Sequence, residues 1–206
     1  MTRTFDIRAA SPADMAGAGS MQHACWMHAY RGLLDDAFLA QLSPEGIAGY
    51  HARHFTSSGE HAQPRMPFLV ADWPGRANPI AGFVRGGPTR AASAAGDPVP
   101  QHVIRNFPFE LFAIHVAHDL HRSGVGRALF GAFAKEARKL GETSLVLWVL
   151  TNNAPAIGFY RALGGQPVAE SVLTLGGKAY PQTAYAWSDL AHFTCVRNTS
   201  PRRRQR

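Results

Sequence analysis

Apolar residues along the chain alternate between two spacings, which divide the sequence into strands and helices. Apolar residues at every second position, or in short unbroken runs, predict strands, and apolar residues three or four positions apart predict helices. Seven segments fit a strand: TFDIRAA, PFLVADW, PIAGFVRG, PFELFAIHVAHDL, SLVLWVL and the two halves of QPVAESVLTLGGKAYPQTAYAW. Three helices are predicted between the first two strands, one after the fourth strand and one after the fifth.

The order of these elements predicts an α+β fold. The fourth strand is apolar on both faces, which is typical of a strand in the middle of a covered sheet. The helix that follows it makes one βαβ crossover to a parallel neighbour. The remaining strands pair antiparallel, so we expect a mixed, mostly antiparallel, twisted sheet flanked by helices. Residues from Gly86 to Phe107 show no period and are predicted to form a long loop near a functional cleft.

Charge and composition change this picture little. The net charge of +7 falls to +3 without the four arginines of the final segment PRRRQR. We therefore expect one domain over residues 1–195, a basic disordered tail over 196–206, and no nucleic-acid partner. The sequence has no apolar run of membrane-spanning length and no signal-peptide pattern, so no membrane association and a cytoplasmic location are expected. His51 and His54 lack accompanying ligands, and no metal site is predicted.

The segment HRSGVGRALF joins the apolar fourth strand to a helix. Backbone N–H groups at such a helix start, together with the helix dipole, attract phosphate. Gly124 and Gly126 would let a phosphate approach the backbone, and Arg122 and Arg127 add positive charge. A tight turn that binds nothing is the alternative. The segment lacks the Lys-Ser/Thr pair of a P-loop, and Leu129 stands where a dinucleotide motif has its third glycine.

Three segments together resemble the GCN5-related N-acetyltransferase (GNAT) superfamily: ELFAIHVAHDLHRSGVGRALF, SLVLWVLTNNAPAIGFYRALGGQPV and LTLGGKAYPQTAYAW. The superfamily signature Gln/Arg-x-x-Gly-x-Gly/Ala binds the pyrophosphate of acetyl-CoA through backbone amides. His121 takes the first position of that signature here. The resemblance implies a GNAT-like fold and an acetyl-CoA site that includes Ile114, His115, Val116, Arg122, Ser123, Gly124, Val125, Gly126 and Arg127.

The later helix carries two further residues that the resemblance connects with the cofactor. Asn153, or alternatively Asn152, corresponds to an asparagine that contacts the pantetheine arm. Tyr160 corresponds to a cofactor-contacting general acid that protonates the leaving thiolate. Phenol suits that task because its reference pKa of about 10 lies near the thiol value of about 8.5. Packing of the helix onto the sheet is the alternative role for Tyr160.

The resemblance implies that Glu110 is the general base that takes a proton from the attacking amine. The alternative is that Glu110 orders the long loop. His115 is a second candidate base, followed by His118 and Asp119. The family also places a strand bulge before the glycine turn, where an exposed N–H stabilises the thioester oxygen, and position assigns that bulge to Val116 or its neighbour.

Trp26, Tyr30 and Leu33 recur at helical spacing in the first predicted helix, which indicates either core packing or, for Trp26 and Tyr30, contact with the substrate. The resemblance implies an acetyl-CoA-dependent N-acetyltransferase that acts on a primary amine of a small molecule by direct attack. A protein or peptide N-acetyltransferase and a non-catalytic acyl-CoA-binding regulatory domain are the alternatives. A closed pocket under the Gly86–Phe107 loop would favour a small molecule, and an open groove a protein. Family members are commonly dimers, so a homodimer is a further expectation.

Overall fold

A single seven-stranded sheet forms the centre of the computed structural model, which describes residues 5–56, 66–93, 96–191 and 193. The strands are β1 (Asp6–Ala9), β2 (Phe68–Asp72), β3 (Ile80–Pro88), β4 (Phe109–Val116), β5 (Leu145–Leu150), β6 (Gln166–Leu175) and β7 (Lys178–Trp187). They lie in the order β1-β2-β3-β4-β5-β7-β6. Only the β4–β5 neighbours are parallel within this described sheet. The predicted mixed, mostly antiparallel fold class is thereby confirmed.

Helices cover both faces of the sheet. They are α1 (Met15–Ala29), α2 (Asp36–Leu39), α3 (Pro44–Thr56), α4 (Gln101–Asn106), α5 (Val125–Lys139) and α6 (Ala154–Ala162). On one face α1 buries Ala18, Met21 and Cys25 against β2 and β3. On the opposite face α5 buries Leu129, Phe130 and Phe133 in the largest core cluster, which Tyr160 of α6 joins. Among the described helices, none combines the length and apolar character needed to cross a bilayer.

The α5 helix connects β4 to β5 as the predicted βαβ crossover. Its buried residues recur three or four positions apart, and its basic residues Lys135, Arg138 and Lys139 are exposed. One face of the helix is therefore apolar and packs on the sheet, as the sequence pattern predicts. Because β4 leads directly into this helix, the glycine turn lies at the end of β4, in the middle of the sheet.

The segment predicted as one long loop contains regular structure. β3 continues to Pro88, and α4 occupies residues 101–106. The helix has only six residues, too few to show a helical period in the sequence. It forms because Val99 and Val103 pack on Val146 and Ala184 of the sheet. The first helix, predicted to reach Leu34, ends at Ala29. The predicted basic tail, residues 196–206, lies outside the described residues.

Candidate functional site

The parallel strands β4 and β5 separate in the middle of the sheet and leave a cleft between them. Glu110 with Val146 is the only pairing between these strands in the described structure. β4 continues for six more residues and β5 for four without further pairing. Backbone groups along a diverging strand have no ladder partner and must find another. The cleft is therefore a gap in the sheet with polar backbone groups on its wall.

The direction of these backbone groups follows from the pairing of β4 with β3. The Ala117 N–H donates to the Ala81 carbonyl at 2.9 Å, so Ala117 faces β3. Backbone groups alternate in direction along a strand, and Ile114 and Val116 therefore face the cleft. The Val116 carbonyl accepts from Cys25 Sγ at 3.1 Å and from His121 Nε2 at 3.2 Å. The N–H groups of Ile114 and Val116 remain available to a ligand in the cleft.

A β-bulge interrupts β4 at Phe112. Arg85 is paired with Ala113 and the next residue, Gly86, with Leu111, so Phe112 is the extra residue. The expectation that the bulge lies at Val116 or its neighbour is wrong, because Val116 is paired regularly with Gly82. Gly86 explains the position of the bulge: a Cβ there would lie 2.2 Å from the Glu110 carbonyl oxygen. Only glycine permits that close approach of the two strands.

The glycine turn ends at the start of α5, where backbone N–H groups are unpaired. Gly124 is the N-cap residue, with φ of +91°, a conformation that favours glycine. The first helical hydrogen bond runs from the Ala128 N–H to the Gly124 carbonyl. The N–H groups of Val125, Gly126 and Arg127 therefore have no helical acceptor. Beside them, three polar side chains are exposed, those of Arg122, Ser123 and Arg127.

Gly126 keeps open the space between this turn and the cleft. A Cβ on Gly126 would lie 3.3 Å from the Phe159 ring and 3.6 Å from Val116 Cγ2. The α-carbon of Gly126 thus faces the junction of α5, α6 and the end of β4. An elongated ligand with a phosphate at one end fits this arrangement, because its phosphate would meet the free amides and its other end would enter the cleft.

Asn153 lies at the start of α6, directly after β5. Its Oδ1 accepts from the Ala156 N–H at 3.2 Å, so the side chain caps the helix. Because Oδ1 is already engaged, Asn153 would contact a ligand through its Nδ2–H groups. Asn152, the alternative, is exposed, whereas Asn153 is buried beside the cleft.

Tyr160 lies in α6, and Tyr30 directly follows α1 on the opposite face of the sheet. Tyr160 is buried and packs against Trp187 and Phe159. Burial raises the pKa of the Tyr160 phenol well above its usual range, and the nearby Tyr30 phenol raises it further. Burial also raises the pKa of Tyr30. Both phenols are therefore protonated near neutral pH.

The first helix also brings Trp26 to the fourth strand. Trp26 Nε1–H donates to His115 Nε2 at 3.5 Å, and the Trp26 ring lies 5.0 Å from the Tyr30 ring. Trp26 and Tyr30 pack against the buried cluster of Leu34, Leu39 and Leu150. Both residues therefore take part in core packing, and both adjoin the cleft-lining strand. Burial, helped by the positive charge of Arg85, lowers the pKa of His115 to about 4, so its imidazole is neutral at pH 7.

Glu110 is held by an ion pair with Arg90. Its carboxylate accepts from Arg90 Nη2 at 2.5 Å, from Arg90 Nε at 3.2 Å and from the Arg90 N–H at 3.1 Å. Only 1% of the Glu110 side chain is exposed. Arg90 belongs to the loop after β3, so these contacts support the loop-ordering alternative. A carboxylate whose lone pairs already accept a guanidinium is poorly placed to take a proton from an amine.

The remaining candidate acid–base and metal-binding residues are engaged by neighbouring side chains. His118 stacks on His28, with ring centroids 3.4 Å apart, and Asp119 pairs with Arg76 at 2.9 Å. His51 Nε2 lies 2.7 Å from Gln22 Oε1, and burial lowers the His51 pKa to about 3. Within the described ranges, no group of three or more His, Cys, Asp or Glu residues is arranged to hold a metal ion.

Two sets of contacts cover the face of the sheet on which α1 and α4 lie. Asp97, in the loop of residues 89–100, accepts from the Thr174 N–H at 2.7 Å and from Thr174 Oγ1 at 2.8 Å. Asp35 pairs with Lys178, and the Asp35 N–H donates to the Tyr180 hydroxyl at 3.0 Å. The loop and the α1–α2 connection are thereby tied to the β6–β7 hairpin. These contacts fasten both segments over this face of the sheet.

A pocket of about 280 Å³ lies beside the β4 bulge on the same covered face. Its lining includes Tyr50, Arg85, Arg90 and Phe112. The sequence analysis selected none of these residues. Arg85 had a detectable signal, because it is the only charged residue in the apolar segment PIAGFVRG. Tyr50 and Arg90 had none, since their contacts depend on the tertiary fold.

Comparison with known proteins gives a consistent result. The sequence model of the Acetyltransferase (GNAT) family matches residues 28–164. The chain is 29% identical over 119 residues to the uncharacterized N-acetyltransferase YuaI of Bacillus subtilis (strain 168), a match that spans 58% of this chain and 62% of that relative.

Solved structures share the fold at low sequence identity. The PaiA N-acetyltransferase of Thermoplasma acidophilum, in complex with coenzyme A, superposes with a TM-score of 0.61 at 15% identity, over 87% of this chain and 98% of that one. The structure of yncA from Salmonella typhimurium, with its cofactor acetyl-CoA, gives 0.59 at 20% identity, over 90% and 94%. The ribosomal-protein-alanine N-acetyltransferase of Brucella melitensis gives 0.60 at 19% identity, over 88% and 98%.

Proposed function

Because the chain belongs to the acetyltransferase (GNAT) family, we propose that it transfers an acetyl group from acetyl-CoA to a primary amine of a small molecule. One observation carries the proposal: the unpaired edge of β4 leads along the cleft to the free N–H groups at the start of α5. A strand edge and a phosphate-binding helix start, joined in one channel, suit a ligand that has amide groups and a pyrophosphate.

The residues of the channel divide the binding of acetyl-CoA between them. The N–H groups of Val125, Gly126 and Arg127 bind the pyrophosphate, and the charges of Arg122 and Arg127 favour it. The Ile114 and Val116 N–H groups bind the pantetheine arm as a neighbouring strand would, with Asn153 Nδ2 on the opposite side. Acetyl-CoA supplies the acetyl group as an activated thioester at the inner end of this channel.

The chemistry of transfer requires a free amine and a proton for the departing sulfur. Tyr160 holds a proton on its phenol oxygen, because burial raises its pKa, and donates it towards the sulfur. Thiols in a water-excluded site also have raised pKa values, so the two groups stay matched. Proton removal from the amine is assigned to water, since the contacts of Glu110 support a structural role and the Nε2 lone pair of His115 accepts from Trp26 Nε1–H.

The covered face of the sheet supports a small acceptor over a protein. Asp97 with Thr174 and Asp35 with Lys178 join the covering segments to the β6–β7 hairpin. A protein substrate would need these segments to move, since an extended peptide requires an open groove. A small molecule fits the pocket of about 280 Å³ beside the β4 bulge.

Calorimetric titration with acetyl-CoA tests the proposed function. We expect saturable binding of acetyl-CoA in the micromolar range, comparable binding of CoA and negligible binding of ATP at the same concentrations. Thiol release measured with a panel of small primary amines then tests turnover. Absence of saturable acetyl-CoA binding would overturn the proposal. Binding without turnover of any small amine, but with acetylation of peptides, would favour the peptide alternative.

Replacing Glu110 with glutamine separates its two candidate roles. If Glu110 orders the loop, Glu110→Gln lowers the free energy of unfolding by about 1 to 3 kcal/mol, because a buried ion pair is broken while Arg90 keeps partial access to water. We expect this result, with kcat changed less than about fivefold and an unaltered pH–rate profile. Arg90→Gln is the matched variant, since it breaks the same pair from the other side. A fall in kcat of more than about 100-fold in Glu110→Gln alone would assign the base to Glu110.

A further inference from the structure

Arg85 is a partly buried cation, and the residues that the structure describes give it no carboxylate partner. It lies on β3, on the face that α1 and α3 cover. Its Nη2 donates to the Tyr50 hydroxyl at 3.0 Å, and its guanidinium carbon lies 5.0 Å from the Tyr50 ring centroid. Its Nε is buried and has no hydrogen-bond acceptor. The ion pairs among the described residues do not include Arg85.

The second arginine of the pocket is neutralised. Arg90 lies over the Phe112 ring at 4.4 Å, while Arg85 lies 6.0 Å from the centroid of the same ring. Arg90 forms the ion pair with Glu110, so Arg85 is the arginine of the described pocket lining whose positive charge is unbalanced. A partly buried charge without a counter-charge costs free energy, which an anionic ligand would recover. The pocket is thus prepared for an anion.

We propose that Arg85 binds a carboxylate of the acceptor, so that the acceptor is an amino acid or another small amine that carries a carboxylate. This inference rests on the proposed acetyltransferase function. A planar guanidinium binds a carboxylate through paired hydrogen bonds, and here the Nη–H groups that Tyr50 leaves free supply them. The volume of about 280 Å³ admits a small ligand, and the positive charge disfavours polyamines and other cationic acceptors.

The position of Arg85 also fits an acceptor that must reach the cleft. Arg85 is paired across the sheet with Ala113, which directly precedes the cleft-facing Ile114. Neighbouring strands lie about 4.8 Å apart, so a small molecule can span from the Arg85 side chain to the cleft. Phe112, the bulged residue, separates Arg85 from the Arg90–Glu110 pair. The pocket and the acetyl-CoA channel therefore meet at β4.

Matched acceptors test the inference. Thiol release from acetyl-CoA is measured with L-alanine, L-methionine, L-glutamine and L-phenylalanine, each beside its carboxamide. The carboxamide has the less basic amine, so a larger fraction of it is unprotonated near neutral pH, and a preference for the acid cannot come from a greater supply of free amine. For Arg85→Gln we expect kcat/KM of the best acid to fall by about 30-fold or more, mainly through KM, since a paired charge-assisted contact is lost. Its carboxamide should change less than about threefold, and the KM for acetyl-CoA less than about twofold.

Two further variants serve as controls for Arg85→Gln. Arg85→Lys keeps the charge and should retain part of the preference, and Arg138→Gln removes an exposed arginine of α5 and should change nothing. Preference for carboxamides, or equal behaviour of Arg85→Gln and Arg138→Gln, would overturn the inference while leaving the acetyltransferase function intact. If the enzyme acetylates none of these acids or carboxamides, their binding is measured by calorimetry with and without CoA. Binding of an acid that Arg85→Gln abolishes supports the carboxylate site. Equal binding of acids and carboxamides rejects it. Failure of acetyl-CoA to bind would instead reject the proposed function.

Discussion

Gly126→Val is expected to weaken acetyl-CoA binding by about 100-fold. The valine side chain would occupy the space between the Phe159 ring and Val116 Cγ2, only 3.3 and 3.6 Å from the position of its Cβ. It would therefore keep a pyrophosphate from the N–H groups at the start of α5. Loss of about two charge-assisted hydrogen bonds costs about 3 kcal/mol, which corresponds to the stated factor. Calorimetric titration with acetyl-CoA measures the change directly.

The stability of the variant distinguishes a binding site from a plain turn. Crowding against Phe159 should lower the free energy of unfolding by only about 1 kcal/mol, partly offset by the better helix propensity of valine. Gly131→Val is the matched control, because Gly131 lies in the same helix and a Cβ there meets nothing within 4 Å. We expect Gly131→Val to bind acetyl-CoA normally. If Gly126→Val lost stability and affinity equally, the glycine would serve the turn and not the cofactor.

The order of elements was predictable because each long element carries its own pattern. The unbroken apolar runs of β2 and β3 and the helical period of α5 reflect burial on both faces or on one face, and each pattern is a local property of the sequence. The α4 helix was not predictable, since six residues show no period and Val103 is buried only because the sheet lies beneath it. The end of α1 was also misjudged, because apolar Leu33 and Leu34 continue the pattern beyond the helix.

The candidate site likewise has one part that the local sequence predicts and another that depends on contacts between distant residues. The glycine turn was readable because its residues are consecutive, and its N–H groups are free for a local reason, the start of a helix. The partner of Glu110 was not readable, because Arg90 is 20 residues away and pairs with it only after the loop folds back. Arg85 and Tyr50 are 35 residues apart, and the bulge at Phe112 depends on a glycine in the neighbouring strand. Contacts between elements thus form the proposed acceptor pocket, whereas a local pattern in the sequence predicts the proposed cofactor channel.

The burial of Tyr160 leads to the second expected result. Because its pKa is raised, the Tyr160 phenol stays protonated across the pH range in which the enzyme is assayed. It can therefore always donate a hydrogen bond, but it loses its proton less easily than an exposed phenol. Its benefit therefore arises only as negative charge develops on the sulfur, when a donor is most needed. An interaction that strengthens only in the transition state changes kcat and leaves ground-state binding unchanged.

Tyr160→Phe is accordingly expected to lower kcat by about 100-fold or more while the affinity for acetyl-CoA stays within about twofold. Steady-state thiol release and calorimetric titration measure the two quantities separately. Tyr185→Phe is the matched control: Tyr185 is buried in the same core cluster, and its hydroxyl accepts a hydrogen bond from Arg161 Nε at 3.2 Å. That variant loses a comparable hydroxyl away from the cleft and should keep kcat. If Tyr160→Phe turned over as fast as Tyr185→Phe, Tyr160 would only pack α6 onto the sheet, and water would protonate the departing thiolate.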